Sequence, residues 1–311
     1  MCYARRMHRA LAALSLTAIL FAAPAVAAPA DILDRVRDHY ADSDGVRIHY
    51  VTLGRGPLLV MIHGFPDFWD GWREQMAGLS RRYQGAALDL RGYNLSDQPK
   101  GVEQYDITLL AKDVAAVVRD LGREHATIIG HDWGGGVAWT FAMLYPAMTE
   151  RLIVLQTPHP RGLLRELRTN PQQLANSEYA RTFQQDGAYL GFTPEILASI
   201  AATPATRQQY VDAFARSDIE AMFNYYKRNY PRAPYADLEL PKVSAPVLVI
   251  HGLADQFLLA AGHNSTWDWV DAPVTIATVP GVGHFVQQAA PATVTRLIKQ
   301  WLAATPVGSA R

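Results

Sequence analysis

The chain has 311 residues, 49% of them hydrophobic, and its 29 basic and 29 acidic residues give a formal net charge of +0. This length and apolar content suffice for one large domain with an insertion. A near-neutral chain without an evident basic face excludes nucleic acid and anionic membranes as expected partners.

The first segment of the chain has the three parts of a secretory signal peptide. Three arginines within the first nine residues form a basic region, and residues 10–23 are apolar but too short to span a bilayer. Ala25-Val26-Ala27 matches an A-x-A cleavage site. We expect cleavage after Ala27, no membrane anchor afterwards, and a secreted or periplasmic protein. The one cysteine, Cys2, would be removed with this segment, so the mature chain would have no thiol chemistry.

From Val46 onward, strand-like and helix-like segments alternate. VRIHYVTLG, the turn Arg55-Gly56-Pro57 and LLVMIHG predict a hairpin that feeds a buried strand. Buried strands are further predicted at GAALDLRG, ATIIG and RLIVLQTP, and helices at ITLLAKDVAAVVRDLG and VAWTFAMLYPAM. Alternating strands and helices favour a mostly parallel sheet flanked by helices.

The alternation breaks between residues 159 and 240. This stretch has no clear buried strand, and segments separated by proline, such as PEILASIAAT and DIEAMFNYYKRNY, look helical. The alternation resumes with APVLVIHG, VTIATVP and ATVTRLIKQWLAA. A helical block between two strands predicts a cap over the strands' carboxyl ends, where open α/β sheets bind ligands. The predicted organisation is a signal peptide (1–27), a core (28–158 and 241–311) and a helical cap (159–240).

Three polar residues follow predicted strands and form a candidate catalytic set. GHDWGGG (130–136) predicts a sharp strand-to-helix turn whose central residue is commonly a nucleophilic serine, but here it is Asp132. Asp255 and His284 follow two later strands, in the order nucleophile, acid, histidine of hydrolase triads. This order predicts that Asp255 orients His284, the general base. A carboxylate that attacks a saturated carbon forms an ester that water can hydrolyse, whereas a serine would leave an ether.

The motifs HGFP (63–66), GHDWGGG, LADQF and GVGHF together resemble those of the epoxide hydrolase branch of the α/β-hydrolase superfamily. The resemblance covers nearly the whole mature chain and implies the α/β-hydrolase fold. It implies that water opens an epoxide to a vicinal diol. The apolar side chains of the cap favour a small apolar epoxide. No residue cluster has metal-ligand spacing and no glycine loop suits a nucleotide, so we expect no cofactor and no metal. The resemblance also implies an oxyanion hole made by the backbone N–H groups of Phe65 and Trp133, with Phe65, Pro66 and Trp133 beside the substrate.

The same resemblance implies that two tyrosines of the cap donate to the epoxide oxygen. The segments SEYARTFQQDG and FNYYKRN look similar to those of the relatives and give Tyr179 and Tyr226 as the donors. Tyr225, the immediate neighbour, stays open as an alternative second donor. A phenol with the ordinary pKa of about 10 is protonated at neutral pH and can donate a hydrogen bond.

Two other functions are compatible with the fold. Haloalkane and haloacid dehalogenases share the aspartate nucleophile, but those acting on haloalkanes usually bind the halide with an Asn at position 65 or a Trp in the cap. Position 65 is Phe, and residues 159–240 contain no Trp. Fluoroacetate dehalogenases carry Arg after the nucleophile, where this chain has Trp133. A secreted, non-catalytic protein that binds a ligand or partner would be expected to lack a triad residue, and all three are present. The sequence predicts no oligomeric state.

Overall fold

The computed structural model describes residues 32–306. The predicted signal peptide (1–27) lies outside the described residues, so this segment and the secreted or periplasmic location that it implies stay predictions. Within the described range, no helix combines the length and apolar character needed to cross a bilayer.

Eight strands form a single sheet and confirm the predicted sheet architecture. They are β1 (Arg37–Ser43), β2 (Val46–Gly54), β3 (Leu58–Ile62), β4 (Gln84–Leu88), β5 (Ala126–His131), β6 (Thr149–Leu155), β7 (Val247–Gly252) and β8 (Val274–Val279). Their spatial order is β1-β2-β4-β3-β5-β6-β7-β8. Only the pairs β1–β2 and β2–β4 are antiparallel. β3, β5 and β7 are buried along their whole length, which explains their continuous apolar sequences.

Helices flank the sheet. The α-helices of the described residues are α1 (Arg73–Leu79), α2 (Ile107–Asp120), α3 (Trp133–Leu144), α4 (Pro160–Thr169), α5 (Pro171–Asn176), α6 (Glu178–Phe183), α7 (Pro194–Ala201), α8 (Arg207–Arg216), α9 (Ile219–Asn229), α10 (Val286–Ala289) and α11 (Pro291–Ala304). α2 begins where the Asp106 side chain accepts from the Thr108 N–H. It ends just before Gly122, which has a φ of +64° and acts as the predicted C-cap.

The predicted hairpin between β2 and β3 is wrong. β4 lies between these two strands, antiparallel to β2 and parallel to β3. The turn between β2 and β3 packs closely against the segment that leads into β4. A Cβ atom on Gly54 or Gly56 would lie 2.4 Å from the carbonyl oxygen of Tyr83 or Arg82, respectively. A short turn between two apolar runs looks the same in sequence whether or not a third strand inserts between them.

The true hairpin joins β1 to β2, and the sequence analysis missed β1. The turn is Asp44-Gly45, and both residues have positive φ values, of 54° and 86°. Asp-Gly is the pair favoured in two-residue hairpin turns because both positions need positive φ. This dipeptide was therefore the available signal for β1.

Six helices, α4 to α9, lie between β6 and β7, and the described chain has no strand in this stretch. Two of their tyrosines bond to segments that follow core strands. The Tyr210 hydroxyl donates to Asp67, beyond β3, at 2.7 Å, and the Tyr225 hydroxyl donates to the Arg91 carbonyl, beyond β4, at 2.7 Å. These helices therefore rest on the carboxyl ends of the strands. We propose that they form the cap, and its limits at 159 and 240 stay a prediction.

A buried ion pair anchors the loop on which α9 rests. The Arg91 guanidinium donates to both oxygens of Asp113 in α2, at 2.7 and 2.6 Å, and to the Gln104 carbonyl at 2.8 Å. Both side chains of the pair are buried. A bidentate pair fixes the direction of the arginine as well as its position.

Replacing Asp113 with Ala leaves the Arg91 charge buried without its partner. We expect the free energy of unfolding to fall by about 3–5 kcal/mol, measured by urea denaturation. Asp271→Ala is the control because its ion pair with Lys242 is exposed and should contribute little. Equal losses in the two variants would contradict the anchoring role of the Arg91 pair.

Candidate active site

Asp132 lies in a strained turn between β5 and α3. Its φ of 52° and ψ of −122° are rarely adopted by a residue with a side chain. The backbone packs too tightly here for any side chain at two flanking glycines. A Cβ on Gly130 would lie 2.1 Å from the Gly134 oxygen, and one on Gly134 would lie 2.1 Å from the Ile62 oxygen. The glycines of GHDWGGG thus let the turn present Asp132 at the carboxyl end of the sheet.

A residue that the sequence analysis missed holds this turn from the neighbouring strand. The Thr157 hydroxyl donates to the Asp132 carbonyl at 2.7 Å, and the Gly135 N–H donates to the same oxygen at 2.8 Å. Thr157 follows β6 by two residues. Its polar side chain after a buried strand is the same type of signal that pointed to Asp132.

The three predicted triad residues lie together. His284 Nε2 is 3.4 Å from Asp132 Oδ2, and His284 Nδ1 donates to Asp255 Oδ2 at 2.8 Å. The other oxygen of Asp255 accepts from the N–H groups of Phe257 and Leu258. The imidazole is therefore held between two buried carboxylates.

This arrangement sets the charges of the site. Burial lowers the pKa of His284, but hydrogen bonds and charges from Asp132 and Asp255 outweigh burial and raise it to about 10. Burial raises the pKa of each carboxyl, but His284 outweighs this effect and keeps both pKa values below their ordinary value. At neutral pH, Asp132 is thus ionised and lies beside an imidazolium.

The predicted oxyanion donors flank Asp132. The Phe65 N–H donates to Asp132 Oδ1 at 2.8 Å. The Trp133 N–H is the first of α3, and the first N–H groups of a helix have no partner within it. His63 braces the loop, since its Nδ1–H donates to the Gly64 carbonyl and its Nε2 accepts from the Leu90 N–H. The two oxygens of Asp132 thus face different groups, the Phe65 amide on one side and His284 on the other.

Tyr179 of α6 and Tyr226 of α9 line one cavity with Asp132 and Trp133. The rings of the two tyrosines are 6.0 Å apart, and the Tyr226 ring is 5.0 Å from Trp133. Burial raises the pKa of both phenols well above their ordinary value, so they remain donors through the alkaline range. Tyr225 is absent from the cavity lining and bonds to the Arg91 carbonyl instead.

The cavity has a volume of about 340 Å³ and a mostly apolar wall. The apolar part of the wall consists mainly of aliphatic side chains: Ile107, Met143, Leu144, Pro158, Pro160, Leu163, Leu238, Leu240, Pro241 and Leu258. Of the three predicted substrate-binding residues, Trp133 lines this cavity, and Phe65 and Pro66 are not among its lining residues. The Phe65 ring packs on the rings of Phe183, Phe223 and Tyr226. Its backbone N–H is what reaches the site.

Comparisons with known proteins identify the family of this chain. The family model described as the alpha/beta hydrolase fold matches residues 57–288. Epoxide hydrolase 3 of Xenopus tropicalis is 32% identical over 90% of this chain and 82% of its own length. Human epoxide hydrolase 4 is 31% identical over 83% of this chain and 77% of its own length. The crystal structure of the Bacillus megaterium epoxide hydrolase with an inhibitor is 31% identical, has a TM-score of 0.81, and matches over 85% of this chain and 100% of that one.

The chain belongs to the α/β-hydrolase fold family. Within that family, it is a hydrolase of the epoxide hydrolase branch.

We expect Asp132→Asn to lower the pKa of His284 from about 10 towards its ordinary value, because the substitution removes one of the two negative charges that raise it. Histidine NMR titration measures this pKa directly. Asp271→Asn, which changes an exposed carboxylate, serves as the control and should leave it unchanged. An unchanged His284 pKa in Asp132→Asn would show that the carboxylate is not coupled to the imidazole.

Proposed function

We propose that this protein converts an epoxide and water into a vicinal diol through an ester on Asp132. The observation that carries the proposal is a carboxylate at the nucleophile position of the turn, facing the same cavity as two buried phenols. A carboxylate that has been alkylated can be regenerated, because water can hydrolyse the resulting ester. The phenols supply the donors that an epoxide oxygen needs when it leaves as an alkoxide.

Ring opening uses the Asp132 oxygen that does not bond to the Phe65 amide. Oδ1 is held by the Phe65 amide, so an electron pair of Oδ2 forms the bond to the ring carbon. The carbon–oxygen bond of the epoxide breaks, and the oxygen takes a proton from Tyr179 or Tyr226. Ester formation removes the negative charge of Asp132, which lowers the pKa of His284. The imidazolium then loses its proton, and one proton returns to the phenolate, so that the phenol is restored and His284 is neutral.

Ester hydrolysis uses the neutral imidazole. His284 takes a proton from water as the water oxygen attacks the ester carbonyl carbon. Asp255, bonded to Nδ1, stabilises the imidazolium that forms. The negative charge on the carbonyl oxygen is stabilised by the N–H groups of Phe65 and Trp133. Collapse of this intermediate breaks the ester bond, and the leaving alkoxide takes the second proton of the attacking water. The diol is released, the Asp132 carboxylate is restored, and His284 is again an imidazolium.

We propose a small apolar epoxide as the substrate. The mostly aliphatic wall of the cavity favours uncharged groups, and its volume is in the lower part of the range of small-molecule sites.

His284→Gln is expected to accumulate the ester, because Asp132 can still attack while water is no longer activated. Intact-mass spectrometry after mixing with an epoxide such as styrene oxide should show an adduct equal in mass to the epoxide. Asp132→Asn should show none. Diol formation at the native rate by His284→Gln would refute the two-step scheme, and halide release from haloalkanes without any diol formation would favour a dehalogenase instead.

Tyr179→Phe and Tyr226→Phe should each slow ester formation by about 100-fold, because each removes a proton donor to the leaving oxygen. Rapid-quench measurement under single-turnover conditions gives this rate. The matched control is Tyr225→Phe, the adjacent tyrosine, whose hydroxyl bonds to the Arg91 carbonyl. It should lower stability while leaving ester formation within about threefold of wild type. The opposite pattern, with Tyr225 essential and Tyr226 dispensable, would reassign the second donor.

A further inference from the structure

Gln156 lies beside the triad and takes no part in the steps above. It is the first residue after β6, it is fully buried, and it has a φ of +65° although it is not glycine. Its backbone N–H donates to the Ile250 carbonyl of β7 at 3.0 Å. Strained, fully buried polar residues persist only where the surrounding structure fixes them, and they concentrate at functional sites.

The side chain of Gln156 joins the ends of three strands. Its Oε1 accepts from the N–H of Gly252, the last residue of β7, at 2.6 Å. Its Nε2 donates to Asp255 Oδ2 at 3.0 Å and to the Gly283 carbonyl, beyond β8, at 2.9 Å. One amide on the β6 loop therefore bonds to both loops that carry Asp255 and His284.

These bonds complete the set of donors around Asp255. Oδ2 accepts from His284 and Gln156, and Oδ1 accepts from two backbone N–H groups. Without the amide, Oδ2 would lose one of its two donors, and the loops that carry Asp255 and His284 would lose their hydrogen bonds to the Gln156 side chain. The amide orients the carboxylate through its hydrogen bond. Because the amide does not titrate, His284 remains the group that carries the proton.

We propose that Gln156 is a positioning residue for the hydrolytic half of the reaction. It fixes the Asp255 carboxylate and the Gly283–His284 peptide, so that the imidazole stays aligned to activate water at the ester. This inference rests on the proposed function. Ester formation depends on Asp132, the Phe65 amide and the cap tyrosines, to which the Gln156 side chain makes no hydrogen bond. Gln156 should thus affect one step and spare the other.

The test is Gln156→Met, which keeps the side-chain length and removes all three hydrogen bonds. With styrene oxide under single-turnover conditions, intact-mass spectrometry of quenched samples gives the rates of ester formation and ester breakdown. We expect breakdown to slow by about tenfold or more, so that the adduct accumulates, and formation to change by less than about threefold. The matched control is Gln75→Met, another buried glutamine, which donates to the Gln287 carbonyl and not to Asp255. It should leave both rates near wild type.

Gln156→Glu is a second variant that keeps the side-chain shape and the acceptor for the Gly252 N–H. A carboxyl group at this fully buried position, in contact with Asp255 Oδ2, would take up a proton, because two neighbouring buried carboxylates do not both stay ionised. Its hydroxyl would then donate to Asp255 Oδ2 in place of the amide. We therefore expect ester breakdown in Gln156→Glu to be faster than in Gln156→Met.

The outcomes separate the two proposals. A wild-type enzyme that forms neither ester nor diol from epoxides would overturn the proposed function, and this inference with it. A wild-type enzyme that turns over, with Gln156→Met slowing both steps equally or neither, would overturn the role of Gln156 alone. Ester breakdown as slow in Gln156→Glu as in Gln156→Met would have the same meaning.

Discussion

The site depends on holding one buried carboxylate with different donors on its two oxygens. Asp132 Oδ1 accepts from the Phe65 amide, and Oδ2 faces His284 at 3.4 Å. This division requires the carboxylate to project from a strained backbone at the end of β5, where Gly130 and Gly134 approach neighbouring backbone too closely to carry a side chain. In the proposed mechanism, the oxygen that attacks and the oxygen that later carries negative charge are thereby assigned before any substrate binds, which is the preorganisation that enzymes use to stabilise charge.

His284 links the two halves of the proposed cycle through electrostatics. Two carboxylates raise its pKa while Asp132 is free, so it rests as an imidazolium and supports the ionised nucleophile. Alkylation of Asp132 cancels one of these charges, and the imidazole can then act as a base. The phenols of Tyr179 and Tyr226 have the opposite requirement, because they must stay protonated in order to donate. Burial raises their pKa values and keeps them protonated.

Much of this followed from local patterns. Buried parallel strands are continuous apolar runs, and the residues that follow them meet at one edge of the sheet. Strand ends therefore pointed to Asp132, Asp255 and His284 without any knowledge of strand order. Local patterns failed where strand pairing depended on segments far away in the sequence. The turn at Arg55-Gly56-Pro57 looked like a hairpin, yet β4 inserts between β2 and β3, and β1 was missed although Asp44-Gly45 marks its turn.

The sequence by itself determined the chemistry of the chain. It has a carboxylate in place of a serine at a glycine-rich turn and polar residues in the order of a triad, because residue type and strand-end position are local properties. Only the tertiary structure decided which tyrosine faces the cavity, since Tyr225 and Tyr226 are adjacent on α9 and their contacts depend on how that helix rests on the core. It also decided that the Phe65 amide bonds to Asp132 while the Phe65 ring packs away from the cavity, and that Gln156 bonds to both triad loops. These outcomes depend on contacts between residues far apart in the chain, which a local pattern does not encode.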